Sequence, residues 1–160
     1  MKSISNDNKK INDVFNPILG MKAWGVKIGQ GSFLTIEFGN SVINKIDSIN
    51  HGEWHLWVYM SCWRIEKNGI FFIGSEDSKD KIKKYVQKIE GCHLQSIEVC
   101  TQSLDLKLIF NNELVFKSFS VISADGNNED SLHWMFYMPN NEVFVAGPGN
   151  KWIIENDAPT

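Results

Sequence analysis

The sequence predicts an α+β domain built from two antiparallel β-units, and three observations carry this prediction. The hexapeptides HLWVYM at 55–60 and HWMFYM at 133–138 nearly match and lie 78 residues apart. Apolar residues elsewhere mostly alternate, as in half-buried strands, and one well-defined helical pattern covers 76–90. Flanking segments also match, so that the offsets run from 72 to 78 residues, and self-similarity of this kind marks an internal duplication. These further pairs are 33–40 with 106–112 and 70–74 with 142–147.

Length and composition define the broad class. The chain of 160 residues is 42% hydrophobic, which excludes the composition of a disordered protein and allows a sizeable core. We predict a disordered tail over 1–10 and one domain over 11–160, made of pseudo-repeats at about 21–91 and 92–155. The net charge of −3 disfavours a sequence-independent nucleic-acid binder and mildly favours a basic partner.

Cysteine usage and the N-terminal residues predict a cytoplasmic protein. Cys62, Cys92 and Cys100 are an odd number without CxxC spacing, so we expect reduced thiols. The first ten residues are polar, unlike a secretory signal, and no apolar run approaches the roughly 18 residues of a membrane span. No membrane association is expected.

The domain begins, ahead of the first unit, with a short helix whose apolar residues lie between Ile11 and Leu19, and Pro17 and Gly20 keep it short. A hairpin turning at Gln30-Gly31 follows, and then a polar connector over 40–52. Segments 53–60 and 62–67 are predicted to form one long or bent strand. The strands predicted for this unit are 23–29, 33–38, 53–60, 62–67 and 70–73.

The helix predicted over 76–90 has Ser75 as its N-cap, and Gly91 ends it. Its buried stripe is Ile82, Tyr85, Val86 and Ile89. The second unit then repeats the strand pattern, and residues 152–154 suit either a short closing helix or a last strand. The strands predicted for this unit are 94–101, 104–110, 113–119, 132–138 and 142–146.

The sequence contains few candidate catalytic or metal-ligating residues. His51, Glu53 and His55 would share one face of an extended strand and could ligate zinc, but such loose spacing often arises by chance. Cysteine–histidine pairs such as Cys62 with His133 lack any local signature of a nucleophile. We therefore predict no catalytic residue, no cofactor and no metal ligand, and leave open whether the His51 trio binds a metal.

An acidic loop is a candidate docking element. Asp125, Glu129 and Asp130 could steer a basic protein, although charged loops are more often simply solvated. An EF-hand calcium site is excluded, because its turn requires Gly where Asp130 stands and a bidentate Glu where Phe136 stands.

The matched hexapeptides suggest a binding face. Their even positions are wholly apolar, which predicts a core face, while the odd positions carry amphipathic side chains on the opposite face. This opposite face could bind a partner or stack bases, or the 76–90 helix could cover it. The odd-position residues are His55, Trp57, Tyr59, His133, Met135 and Tyr137.

The second half resembles a protein family. Segments 104–110 (LDLKLIF), 114–116 and 139–152 (PNNEVFVAGPGNKW), together with Trp134, look like small bacterial immunity proteins of polymorphic toxin and contact-dependent growth inhibition systems. The resemblance covers about a third of the chain and mostly strand-core and turn positions, so it transfers no site. A duplicated unit of four strands and a helix is also similar to the Whirly type of single-stranded nucleic-acid binder.

The function expected from these observations is that of a cytoplasmic binding protein, most simply an immunity protein that covers a basic toxin domain. Partner binding is assigned to His55, Trp57, Tyr59, His133 and Tyr137, and to the acidic residues Asp125, Glu129 and Asp130. Two alternatives stay open: a single-stranded nucleic-acid-binding module, and a small metal-dependent or cysteine hydrolase.

Overall fold

The computed structural model describes residues 4–43, 48–123 and 131–157, and these residues form two antiparallel sheets and two α-helices. The helices are α1 (Ile4–Phe15) and α2 (Lys79–Val86), each continued by a 3₁₀ turn, Asn16–Ile18 and Gln87–Ile89 respectively. The strands are β1 (Trp24–Ile28), β2 (Leu34–Ile43), β3 (Asn50–Val58), β4 (Ser61–Lys67), β5 (Ile70–Gly74), β6 (Leu94–Val99), β7 (Leu106–Phe110), β8 (Leu114–Ser120), β9 (Trp134–Tyr137), β10 (Glu142–Ala146) and β11 (Trp152–Asn156).

Residues 59–60 connect β3 of one sheet to β4 of the other. The six-stranded sheet has the order β1-β2-β3-β9-β10-β11, and the five-stranded sheet has the order β5-β4-β8-β7-β6. Strand β3 pairs with β9 in the first sheet and β4 with β8 in the second, and between these two ladders the Tyr59 N–H donates to the His133 carbonyl over 2.9 Å. The segment from residue 53 to 67, predicted as one long or bent strand, forms two strands, because it breaks at Tyr59 and Met60 and its two parts pair in different sheets.

One contiguous core contains side chains from both sheets and both helices. The predicted core face of the matched hexapeptides belongs to it, since Leu56, Val58, Trp134 and Phe136 are all buried. From α1, the Phe15 ring stacks on Phe136 with 4.7 Å between the centroids. Alternation of apolar residues therefore identified the buried face of β3 and β9 correctly.

Both helices begin at residues other than those predicted, and the polar connector predicted over 40–52 is shorter, because β2 extends to Ile43 and β3 begins at Asn50. Helix α1 begins at Ile4, within the predicted tail, and an i,i+4 ion pair of 3.0 Å between Lys9 and Asp13 lies on its exposed side. Helix α2 begins only at Lys79, because the Asp77 carboxylate accepts the Gly74 N–H and holds the preceding residues in a turn. The closing segment, for which a short helix or a last strand was expected, is the strand Trp152–Asn156.

The predicted duplication is not confirmed by the topology. The matched segments 33–40 and 106–112 lie in β2 and β7, which belong to different sheets, and the same holds for β5 and β10. Only β3 and β9 share a sheet, where they are direct neighbours. The architecture is thus α+β and rich in antiparallel β-structure. Among the residues described, neither helix has the length and apolar character needed to cross a membrane.

Candidate functional site

The face of β3 and β9 that points away from the core carries a group of partly buried rings. We call this group, Phe33, His55, Trp57, Tyr59 and Tyr137, the aromatic surface. Neighbouring rings contact one another, with centroid distances of 4.5 Å for Phe33 and Tyr59, 5.1 Å for Trp57 and Tyr59, and 5.6 Å for His55 and Tyr137.

The aromatic surface rests on a small apolar cluster of its own. Met135, Val143 and Val145 are at most 8% exposed, and Trp57, Tyr59 and Tyr137 pack against them. Helix α2 does not cover this face, because its buried side chains Ile82 and Val86 join the main core and it lies against β1 and β5. The alternative in which this helix covers the odd-position face is therefore wrong.

A carboxylate and two imidazoles meet at one end of the aromatic surface. Glu37 on β2 lies directly opposite His55 on β3, and the Nδ1 of His55 is 2.6 Å from its Oε1. The Nδ1 of His51 is 3.7 Å from the same oxygen. Glu37 is only 4% exposed, and its second oxygen accepts the Gly52 N–H over 2.8 Å. The cluster is thus built around a buried carboxylate.

Sequence reasoning placed the wrong glutamate in this cluster. Glu53 lies away from the two imidazoles because its Oε2 accepts the Asn40 N–H over 2.9 Å, at an irregularity of the β2–β3 ladder between Phe38 and Ser41. Glu37 was missed because it contacts His55 only through strand pairing. Its charge within the apolar, alternating segment 33–38 was the available signal.

A cleft of about 350 Å³ opens beside the carboxylate–histidine cluster. Its lining includes His51, His55 and Tyr137 as well as Asp157 from the chain beyond β11. Burial raises the pKa of the Tyr137 phenol, and the charges of Asp157 and Glu155 raise it further. The phenol is therefore neutral near pH 7, and its O–H donates to the Met135 Sδ over 3.7 Å.

Not every predicted partner-binding residue lies on this surface. His133 is fully buried, and its Nε2–H donates to the Gly149 carbonyl over 2.9 Å, so its assignment to an exposed binding face is wrong. Asp125, Glu129 and Asp130 lie outside the described residues. His55, Trp57, Tyr59 and Tyr137 are brought together as expected.

The cysteines do not join the cluster. Burial raises the pKa of the Cys92 thiol, which keeps it protonated, and its Sγ donates to the Lys88 carbonyl over 3.1 Å. Cys100 is exposed, and hydrogen bonds from Ser103 and Gln102 lower its pKa. Within the described residues, the group able to hold a metal consists of Glu37, His51 and His55.

The outer face of the five-stranded sheet has a different chemistry. Arg64, Lys117 and Lys107 lie side by side on β4, β8 and β7, and we call them the cationic row. They line a groove of about 530 Å³ together with Phe119, whose ring centroid is 5.0 Å from the Arg64 guanidinium carbon. Glu66 contacts both Arg64 and Lys117, and the hydrogen bond from Lys117 is the main cause of its lowered pKa.

Comparison with known proteins adds no family. The chain matches no protein-family model, no curated protein and no solved structure.

Proposed function

We propose that the protein is a binding protein whose aromatic surface docks a protein partner, and that this partner is a basic toxin domain which the chain neutralises by covering its active site. The observation that carries the proposal is the set of partly buried, mutually contacting rings on the outer face of two paired central strands. Tyrosine and tryptophan are the residues that most often dominate binding energy at protein interfaces, and a sheet holds them rigidly.

Charge supports a basic partner. Asp157 lines the cleft beside the aromatic surface, and Glu155 lies close enough to raise the pKa of Tyr137. The whole chain carries a net charge of −3. Carboxylates at the rim of an apolar docking surface steer a basic partner and increase its association rate, while the rings supply the contact area.

The resemblance of the second half to bacterial immunity proteins supports the finer part of the proposal. Such a protein works in the cytoplasm by occlusion and performs no reaction itself. Trp57 and Tyr137 would then be the anchors, since each lines the cleft and neither belongs to the buried core.

Co-expression tests the proposal directly. The chain is expressed with the product of the gene immediately upstream of its own, and growth rescue and complex affinity are measured. We expect rescue, and we expect Trp57→Ala to weaken binding at least about thirtyfold, as for a central aromatic anchor. Phe71→Ala is the matched control, because Phe71 is 60% exposed on the other sheet and should change affinity less than about twofold. Growth arrest without a complex would refute the proposal.

A second candidate, single-stranded nucleic-acid binding, is favoured by the cationic row. The three cations are each paired with Glu66 or Glu98, and phosphates would compete with these carboxylates for them beside the exposed Phe119 ring, which offers one stacking surface. Retention on single-stranded DNA that decreases steeply with salt and is weakened by Lys117→Gln would support it. Absence of retention at low salt would eliminate it.

A further inference from the structure

We infer that Glu37, His51 and His55 form a zinc site that opens into the cleft beside the aromatic surface. One nitrogen from each histidine and one oxygen of the carboxylate all lie within 4.8 Å of one another. In a tetrahedral zinc site with bonds of about 2.0–2.1 Å, ligand atoms are about 3.3 Å apart. The observed distances of 2.6 Å and 3.7 Å from Glu37 Oε1 bracket that value, so small side-chain rotations suffice.

The donor set suits a borderline divalent ion. Two imidazoles and one carboxylate are a ligand combination of zinc sites that keep a fourth position open. Calcium and magnesium prefer oxygen ligands only, so two imidazoles disfavour them.

The surroundings of Glu37 match those of a metal ligand. The Gly52 N–H holds Oε2, which leaves Oε1 directed at the two imidazoles. Gly52 must be glycine here, because a Cβ would lie 2.5 Å from the Phe38 carbonyl oxygen. An outer hydrogen bond of this kind orients a ligating carboxylate, and buried charges are normally paired or bound to metal.

The fourth coordination position faces the cleft. Asp157 lines the cleft together with His51 and His55 and offers a further carboxylate, and the cleft also has room for water. A zinc ion there would lie at the edge of the aromatic surface. The site therefore goes beyond the proposed function, because partner docking by the rings requires no metal.

Calorimetry with zinc chloride on chelator-treated full-length protein tests the inference. We expect one zinc ion per chain with micromolar or tighter affinity, and a rise in melting temperature. His51→Ala should weaken binding at least about tenfold. His93→Ala is the control, because His93 pairs with Asn111 away from the cluster and should leave affinity unchanged.

Two results would overturn the inference: no saturable zinc binding, or equal binding by the wild type and His51→Ala, which would reduce the cluster to a hydrogen-bonded carboxylate–imidazole group. Cobalt absorption of the wild type provides a readout that does not depend on a variant folding. Visible bands of a tetrahedral site are expected, and their absence also counts against zinc.

Partner affinity with and without chelator separates the two proposals. Partner binding without zinc binding removes only this inference, and zinc binding without a partner removes only the proposed function.

Discussion

His55 and His133 occupy matching positions in the two similar hexapeptides and lie on neighbouring strands, yet their environments are opposite. The His55 side chain is 14% exposed and contacts a carboxylate, whereas His133 is fully buried and donates to a backbone carbonyl. The burial and the hydrogen-bond partner of each histidine therefore depend on the neighbouring strand and not on its position in the hexapeptide.

The cause lies in the next strand outward on each side. Beyond β3, β2 places Glu37 opposite His55. Beyond β9, β10 leads into Gly147, where an added Cβ would lie 2.7 Å from the His133 ring. The absence of a side chain at Gly147 thus leaves space for the buried His133 ring. The buried Glu37 carboxylate instead forms a contact with the partly buried His55 ring.

The largest effect is expected from Gly147→Ala. Gly147 has a φ of +93°, which disfavours a side chain, and the added methyl would also collide with the His133 ring. We expect a loss of about 3 kcal/mol in the free energy of unfolding, measured by urea denaturation. Gly20→Ala is the control. With a φ of +84° and no atom within 4 Å of the added Cβ, it should cost only about 1 kcal/mol from backbone strain. Equal losses would show that His133 does not need this space.

Much of this arrangement was predictable from the sequence, and the rest depends on pairing. Alternation identified the buried face of β3 and β9, and the bend near Tyr59 followed from two adjacent strand segments. The burial of His133 was not predictable, because it depends on the backbone near Gly149, sixteen residues along the chain. Likewise, only the register of β2 and β3 identifies Glu37, rather than Glu53, as the carboxylate of the cluster.

The matching segments do not occupy matching positions in the topology. Segments 33–40 and 106–112 share an apolar pattern, but β2 and β7 pair within different sheets. A pattern with period two specifies a half-buried strand and one buried face, and it does not specify which strand lies next to it.

An intermediate effect is expected from a double-mutant cycle between Glu37→Gln and His55→Ala. The 2.6 Å contact between the two side chains should give a coupling free energy of about 1–2 kcal/mol, because each variant removes the partner of a largely buried group. In a second cycle, between Glu37→Gln and His133→Ala, the two changes in unfolding free energy should instead add within about 0.5 kcal/mol, because the His133 ring donates to the Gly149 carbonyl. Chemical denaturation of the single and double variants measures the coupling free energy in each cycle. Equal coupling to both histidines would contradict the assignment of separate environments.

The smallest effect concerns Glu66, the carboxylate held by permanent cations rather than by imidazoles. The hydrogen bond from Lys117, with a smaller contribution from Arg64, lowers its pKa in the folded state. The resulting stability is present above the ordinary glutamate pKa of about 4.3 and is lost as the pH falls through the lower folded value. Glu66→Gln should therefore cost about 1 kcal/mol at pH 7 and progressively less on acidification. Glu98→Gln is the control, since its carboxylate is 62% exposed beside Lys107 and such a pair should contribute less than about 0.5 kcal/mol. A deficit in Glu66→Gln that stays constant down to pH 3 would mean that packing, rather than charge, accounts for its contribution.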